Sequence, residues 1–392
     1  MRLTGLDRDW EEVPVLLQGF VIREQADIRT LRKYCRWVLV EGEAELVEHA
    51  LRQLEASEAE GHYALPQRHS VAKELPRAAS AYDASKTFIK EVFKDIREGK
   101  DPEFEAARPI VRNFIASVNA NAYALFWLTR VKDQDAYTAE HCLRVSVFAI
   151  SFARFLGMDE QEQEIVGLAG LLHDIGKIKT PDHILNKPGR LTDPEFEIMK
   201  QHPVEGYRML CEREDSHPEV KHVTLHHHER LDGNGYPDGL TAPNISRYAR
   251  LVSIVDVYDA ITSSRAYKEA MPANFATNIL YKGRGTQFDS EMVEGFIRMV
   301  GVYPVGSIVE LSTHDVALVS AVTPNRKLQP QVEVVLDSYG NEISPYILDL
   351  AEEPMSEDGH VVHIKRPLPD GEYGIQLVKR IQSLIELRGE VA

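Results

Sequence analysis

The chain predicts a mainly α fold, with a small N-terminal α/β module and a small C-terminal β-rich appendage. Three observations carry that prediction. Apolar residues recur at helical spacing from residue 85 to residue 300; β-branched runs broken by Pro and Gly follow Gly301; and before residue 60 short apolar runs accompany one helical stretch. At 392 residues the chain is long enough for two or three domains.

Residues 1–60 form the α/β module, with apolar runs at Val13–Leu17 and Trp37–Val40 and a helix near Glu41–Glu58. Residues 61–84 read as a linker, because Pro66, Pro76 and many small or charged residues interrupt any periodicity. Residues 85–132 form a helical connector. Its first helix carries Phe88, Val92, Phe93 and Ile96 and ends at Gly99; its second runs from about Glu103 to Arg130 with Phe114, Val118, Leu125 and Leu128 inward. A dimer through these apolar helices is the expected assembly.

Residues 133–300 hold the strongest helical signal. Tyr137, His141, Val145, Phe148, Phe152 and Phe155 share one stripe that stops at Gly157, and Glu160–Leu172 makes the next helix. Asp193 reads as an N-cap with Pro194 in the first turn, and Pro203 should kink that helix or begin a new one. His217–Glu229 and Ser246–Ser263 complete the helical core. Residues 301–392 are the β-rich extension, with strands at Ser307–Leu311, Val316–Val322 and Val332–Leu336 before a closing helix at Asp370–Arg388.

Composition narrows the function. A net charge of −16 repels long nucleic acids, yet it admits a small anionic substrate wherever bound cations reverse the local field. Cys35, Cys142 and Cys211 are scattered, so no disulfide framework is expected. No targeting segment or bilayer-spanning run is visible, and a cytoplasmic location without membrane contact is expected.

The chemistry lies in polar residues planted on apolar helices. His141 sits on its helix's apolar stripe, Asp256 within Leu251–Val257, and His173-Asp174 at the end of an apolar helix before Ile175-Gly176-Lys177. One buried histidine is ordinarily a hydrogen-bonded core residue, but five helical segments each presenting such a group are better explained by metal ions. Asp174 can bridge two ions while His173 binds one of them. His202 adds a further ligand. In His226-His227-His228-Glu229, neighbours 100° apart allow either adjacent pair to converge on one ion, and spacing does not choose between them. Glu229 could orient a ligand imidazole. The Gly- and Pro-rich loop Asp232–Gly239 holds Tyr236 close to this cluster.

Taken together these residues resemble the HD-GYP family of the HD phosphohydrolases. The resemblance runs from about Asp135 to Phe296, through His141, His173-Asp174-Ile175-Gly176-Lys177, Lys200-Gln201-His202-Pro203, His227 to Pro237, Asp256-Val257-Tyr258-Asp259 and Ser264-Arg265-Ala266-Tyr267-Lys268. It implies a helical HD-type core and a phosphodiesterase that hydrolyses cyclic di-GMP to pGpG or GMP in bacterial signalling. It also implies a bridging hydroxide between two divalent ions, iron or manganese. The family pattern selects His227 and His228 as ligands. One ion would take His141, His173, Asp174 and Asp256; the other would share Asp174 and take His202, His227 and His228. Asp174, Lys177 and Asp259 would be catalytic, and Lys177, Tyr236, Arg265 and Lys268 would contact substrate. Tyr137 stands where some members carry a Glu for a third ion, so two ions are expected. The Gly235-Tyr236-Pro237 loop would dock diguanylate cyclase-type signalling proteins. The competing expectations are a catalytically weak cyclic di-GMP receptor or docking module, and an HD phosphohydrolase acting on another nucleotide.

Overall fold

The computed structural model describes residues 2–6, 22, 28, 31, 35, 38–41, 65–100, 104–130, 137–212, 216–263, 271, 273–322, 328–368 and 372–375. The chain divides into two compact units. One joins Met1–Ala64 to Arg298–Tyr373, and the other joins Leu65–Ile297 to Gly374–Ala392.

In the first unit, strands β1 (Arg2–Leu6) and β2 (Val38–Glu41) pair antiparallel. The expected run Val13–Leu17 and helix Glu41–Glu58 lie outside the described residues, apart from Glu41 itself in β2. The extension is a five-stranded antiparallel sheet in the order β6-β5-β4-β3-β7. Its strands are β3 (Ile308–Leu311), β4 (Val316–Ala321), β5 (Gln331–Leu336), β6 (Glu342–Asp349) and β7 (Ile364–Leu368). The two strands absent from the expectation are the edges. Each contains a proline, Pro345 or Pro367, which an edge tolerates and which obscures a strand pattern. The expected closing helix falls mostly outside the described residues; Glu372–Gly374 is a 3-10 turn.

The second unit opens on a correction. Residues 61–84 were expected to be a linker, yet helix α1 spans Val71–Arg97. Ser70 caps it by accepting from the Lys73 N–H, and Glu74 lies in the first turn with Lys94 and Arg97 in the last. Pro76 removes one ladder bond, but burial of Leu75, Ala78, Ala79, Tyr82, Ile89 and Val92 along one face outweighs that loss. Helix α2 (Ala107–Leu128) breaks at Asn121, whose side chain donates to the His69 carbonyl and accepts from the Tyr123 N–H. Both helices bury their apolar faces inside this unit, which removes the ground on which the dimer expectation rested.

Helices α3 (Tyr137–Phe155) and α4 (Glu160–Leu172) follow, the first stopped by Gly157 at φ +76 and the second started by an Asp159/Glu162 capping box. A 3-10 turn at Ile175–Lys179 and the short α5 (Asp182–Leu185) lead to α6 (Asp193–Met199). The N-cap of α6 is Thr192, one residue before the expected Asp193, because Glu195 closes its box on Thr192. A new helix, α7 (His202–Cys211), begins with Pro203 in its first turn. Then come α8 (Pro218–His226), α9 (Arg247–Thr262), α10 (Ala273–Lys282) and α11 (Ser290–Val300). Phe152 meets Phe296 edge-on at 5.2 Å and Phe148 meets Tyr258 at 5.6 Å, tying α3 and α9 into one core. Among the described residues no helix is long and apolar enough to cross a membrane.

Candidate metal centre

Five elements bring the predicted ligands to one buried point. α3 supplies His141, the end of α4 supplies His173 and Asp174, and α7 begins on His202. The turn after α8 supplies His227 and His228, and α9 supplies Asp256. His173, Asp174 and His227 are fully buried, and His228 is half-buried. Their ligand atoms form two groups, each within 4.8 Å: Asp174, His202, His227 and His228, and His141, His173 and Asp256.

Asp174 divides its carboxylate between the groups. Oδ2 faces His173 Nε2 at 3.3 Å and His141 Nε2 at 3.6 Å, while Oδ1 faces His202 Nε2 at 3.3 Å and His227 Nε2 at 3.7 Å. His141 Nε2 also lies 3.0 Å from Asp256 Oδ1. The rings are oriented from behind. Nδ1 of His173 donates to the Gly170 carbonyl, that of His202 to Met199 and that of His227 to Thr224, so each neutral ring aims an Nε2 lone pair inward. His202 Nε2 and His227 Nε2 stand 3.4 Å apart, and buried His173 Nε2 and Asp174 Oδ1 make no hydrogen bond. Lone pairs facing lone pairs and a carboxylate are repulsive unless cations lie between them. The donor set therefore fits divalent metal.

Electrostatics keep these groups in ligand form. Burial, then the neighbouring His202, pushes His228 down to about 3. Burial, then His228, drives His227 well below the imidazole range, and burial also lowers His202. Burial works against an ionised Asp174, but the neighbouring His173 and Lys177 hold it well below the carboxylate range. Asp256 is likewise held down against burial by its bond to His141. His141 goes the other way: burial opposes its charged form, yet Asp256 and Asp259 raise it to about 9.

Several roles shift on inspection. Asp259, expected to act at the nucleophile, sits behind His141: it accepts from His141 Nδ1 at 2.7 Å and from Arg144 Nε at 2.8 Å. Its carboxyl is held at about 2, with Arg144 and His141 outweighing burial. In this geometry Asp259 orients the His141 ring. The sequence reading missed Arg144; its place on α3, three residues after His141, was the available signal. Glu229 does not orient an imidazole. It accepts from the Asp238 and Leu240 N–H groups and pins the Gly-Tyr-Pro loop. His226 bonds Asp238 at 3.0 Å and turns away from the ligand groups. Lys177 Nζ pairs with Asp174. Tyr236 stacks on His228 at 4.8 Å and meets Phe196 edge-on. A Cβ on Gly235 would lie 2.4 Å from the Arg230 nitrogen, so only glycine fits there. Arg265 and Lys268 lie outside the described residues.

Glu195 fixes the start of α6, which carries Phe196 toward Tyr236. It pairs with Lys187 at 2.5 Å and accepts from the Thr192 N–H, and these bonds lower its carboxyl from the ordinary 4.5 to about 2. A depressed carboxyl contributes stability above its unfolded value and loses it as pH falls through its folded one. Glu195→Gln should therefore lower the melting temperature most above pH 4.5, with the gap to wild type closing near pH 2. A gap that stays constant across that window would remove the ion pair from this role.

A helical unit whose paired His/Asp groups converge on a split carboxylate defines a metal-dependent HD phosphohydrolase. Residues 126–292 match the HD domain, and residues 1–107 match a domain of unknown function (DUF3391), a span that also covers the stretch expected to be a linker. The chain is 38% identical over 340 residues to the cyclic di-GMP phosphodiesterase PA4108 of Pseudomonas aeruginosa, covering 85% of this chain and 82% of that one. It is 42% identical over 169 residues to the cyclic di-GMP phosphodiesterase response regulator RpfG of Xanthomonas campestris pv. campestris, covering 43% of this chain and 45% of RpfG. The solved structure of Bd1817, an HDG"Y"P protein of Bdellovibrio bacteriovorus, shares the fold at a TM-score of 0.50 and 20% identity, over 72% of this chain and 88% of that one. The chain belongs to the HD-GYP family of cyclic di-GMP phosphodiesterases.

Proposed function

We propose that this enzyme hydrolyses cyclic di-GMP to pGpG, and onward to GMP, with two divalent ions, iron or manganese. His141, His173 and Asp256 hold one ion; His202, His227 and His228 hold the other; Asp174 is shared. The observation that carries this reading is the Asp174 carboxylate, one oxygen turned to each group. When bound, such a pair of ions lowers the pKa of a water and neutralises charge on the phosphoryl oxygens.

The chain's own residues do the rest. Lys177 stands beside Asp174 with its ammonium partly exposed, and in this reading it binds a phosphate oxygen by a charge-assisted bond, joined by Arg265 and Lys268. Asp259 and Arg144 hold His141 in one ring orientation. Tyr236, stacked on His228, walls the site and excludes water from one side.

Chromatography of cyclic di-GMP incubated with anaerobically purified protein, loaded separately with iron or manganese, tests the proposal. The expected result is pGpG or GMP with one of the metals and neither with His173→Ala. Substrate left intact by protein carrying two ions would overturn turnover in favour of a receptor. Faster cleavage of a different cyclic dinucleotide in competition would overturn the substrate.

A further inference from the structure

His141 is held differently from three of the other ligand histidines. His173, His202 and His227 each lean on a carbonyl three residues earlier in their own chain, a local bond that travels with the ring. His141 instead leans on Asp259 of α9, at 2.7 Å. Asp259 takes the Arg144 guanidinium at 2.8 Å, Arg144 lies 3.5 Å from Glu140 on α3, and Glu140 pairs at 2.8 Å with Lys86 on α1. Glu140, Arg144 and Asp259 are all buried, at 3%, 4% and 1% exposure. Tyr82, one turn before Lys86 on α1, is buried within the field of the same Arg144, Glu140 and Asp259. α1 lies wholly inside the stretch that matches the domain of unknown function.

We propose that Lys86, Glu140, Arg144 and Asp259 form an ionic relay through which α1 positions His141, so that the N-terminal region sets the affinity of the His141, His173 and Asp256 group for its ion. Charges at low dielectric interact strongly and tolerate little displacement, so a shift of α1 that strains the Lys86–Glu140 pair is passed along the relay. The ring at its end turns, and the lone pair it offers turns with it. His202 and His227 rest on local backbone bonds outside the relay, so the ion they hold with His228 is less exposed to a shift of α1. Lys86, Glu140 and Arg144 are positioning residues; none is among the ligands.

The inference rests on the two-ion reading, and the test separates the two. Free Mn(II) is followed by electron paramagnetic resonance while full-length protein is titrated, with melting temperature measured alongside. Wild type should take up two equivalents; uptake of none would sink the two-ion reading itself. In Lys86→Met, and in Lys86→Met/Glu140→Gln, which removes both charges of the outer pair, one equivalent should weaken by about 10-fold or more, the scale of losing a partner behind a ligand. The second equivalent should not move, and Lys86→Arg should restore the first. At saturating Mn(II), kcat should recover in both variants while KM stays at the wild-type value. Wild-type affinity for both equivalents in both variants overturns the relay. So does an equal weakening of both equivalents in step with melting temperature, because that is general loosening of the fold.

Discussion

Asp174→Ala should leave a folded protein that has lost at least one of the two proposed ions and turns over cyclic di-GMP about 10³-fold more slowly, the scale set by losing transition-state charge stabilisation. The size of the effect follows from the position. Asp174 is fully buried, and its two oxygens are approached by four imidazole Nε2 atoms and by Lys177. Alanine removes the anion that both groups share, and the imidazoles and Lys177 lose the carboxylate they converge on. Asp174→Asn is the useful companion, since it keeps the volume and loses the charge. If charge is what matters, Asn should behave like Ala; if packing matters, it should behave like wild type. Ion content measured by mass spectrometry and rate measured by chromatography decide together. A folded Asp174→Ala protein with two ions and the wild-type rate would remove Asp174 from the centre.

The ligand set was legible because each member breaks a local rule. His141, His173-Asp174 and Asp256 put polar side chains on apolar faces, and a chain that buries such groups repeatedly has a use for them. What spacing left open was the histidine run. His226 and His228 differ in tertiary surroundings, one bonded to Asp238 and one stacked on Tyr236, and no helical wheel contains that information. The same limit hid Arg144 and the contact of Asp259 with His141. The pairing of Arg144 with Asp259 joins residues 115 apart in the chain, and the polar face each needs is made by another helix.

Two errors of fold have a different origin. The stretch containing Pro66 and Pro76 looked like a linker because proline and charge were weighed above periodicity. Yet Leu75, Ala78, Ala79, Tyr82 and Ile89 already trace one helical face, and burial of that face decides the matter. Strands β6 and β7 escaped because edge strands carry weak patterns. β6 shows all eight of its residues partly or mostly to solvent, and Pro345 lies within it. In both cases the tertiary partner overrode the local signal.

Gly176→Ala should nearly abolish activity without replacing a ligand. A Cβ at this position would lie 2.0 Å from the His202 carbonyl oxygen and 2.5 Å from the Gly206 nitrogen. Both are backbone atoms of α7, so no change of rotamer relieves the overlap and the 3-10 turn must part from the helix. The turn carries Lys177 and follows Asp174 directly, while α7 begins on His202. Opening the gap by about 1 Å pulls His202 off Asp174 Oδ1, and misplacement of that size costs on the order of 100-fold in rate. Overpacking should also lower stability by about 1–3 kcal/mol. The loss should be selective. The His202, His227 and His228 group should give up its ion, and the His141, His173 and Asp256 group, supplied by α3, α4 and α9, should keep one. Calorimetry of Mn(II) binding reads that difference directly, as one equivalent where wild type takes two. A Gly176→Ala protein with two tight equivalents and the wild-type kcat would show that the turn can yield, and that contact between the turn and α7 is not what sets the spacing of the centre.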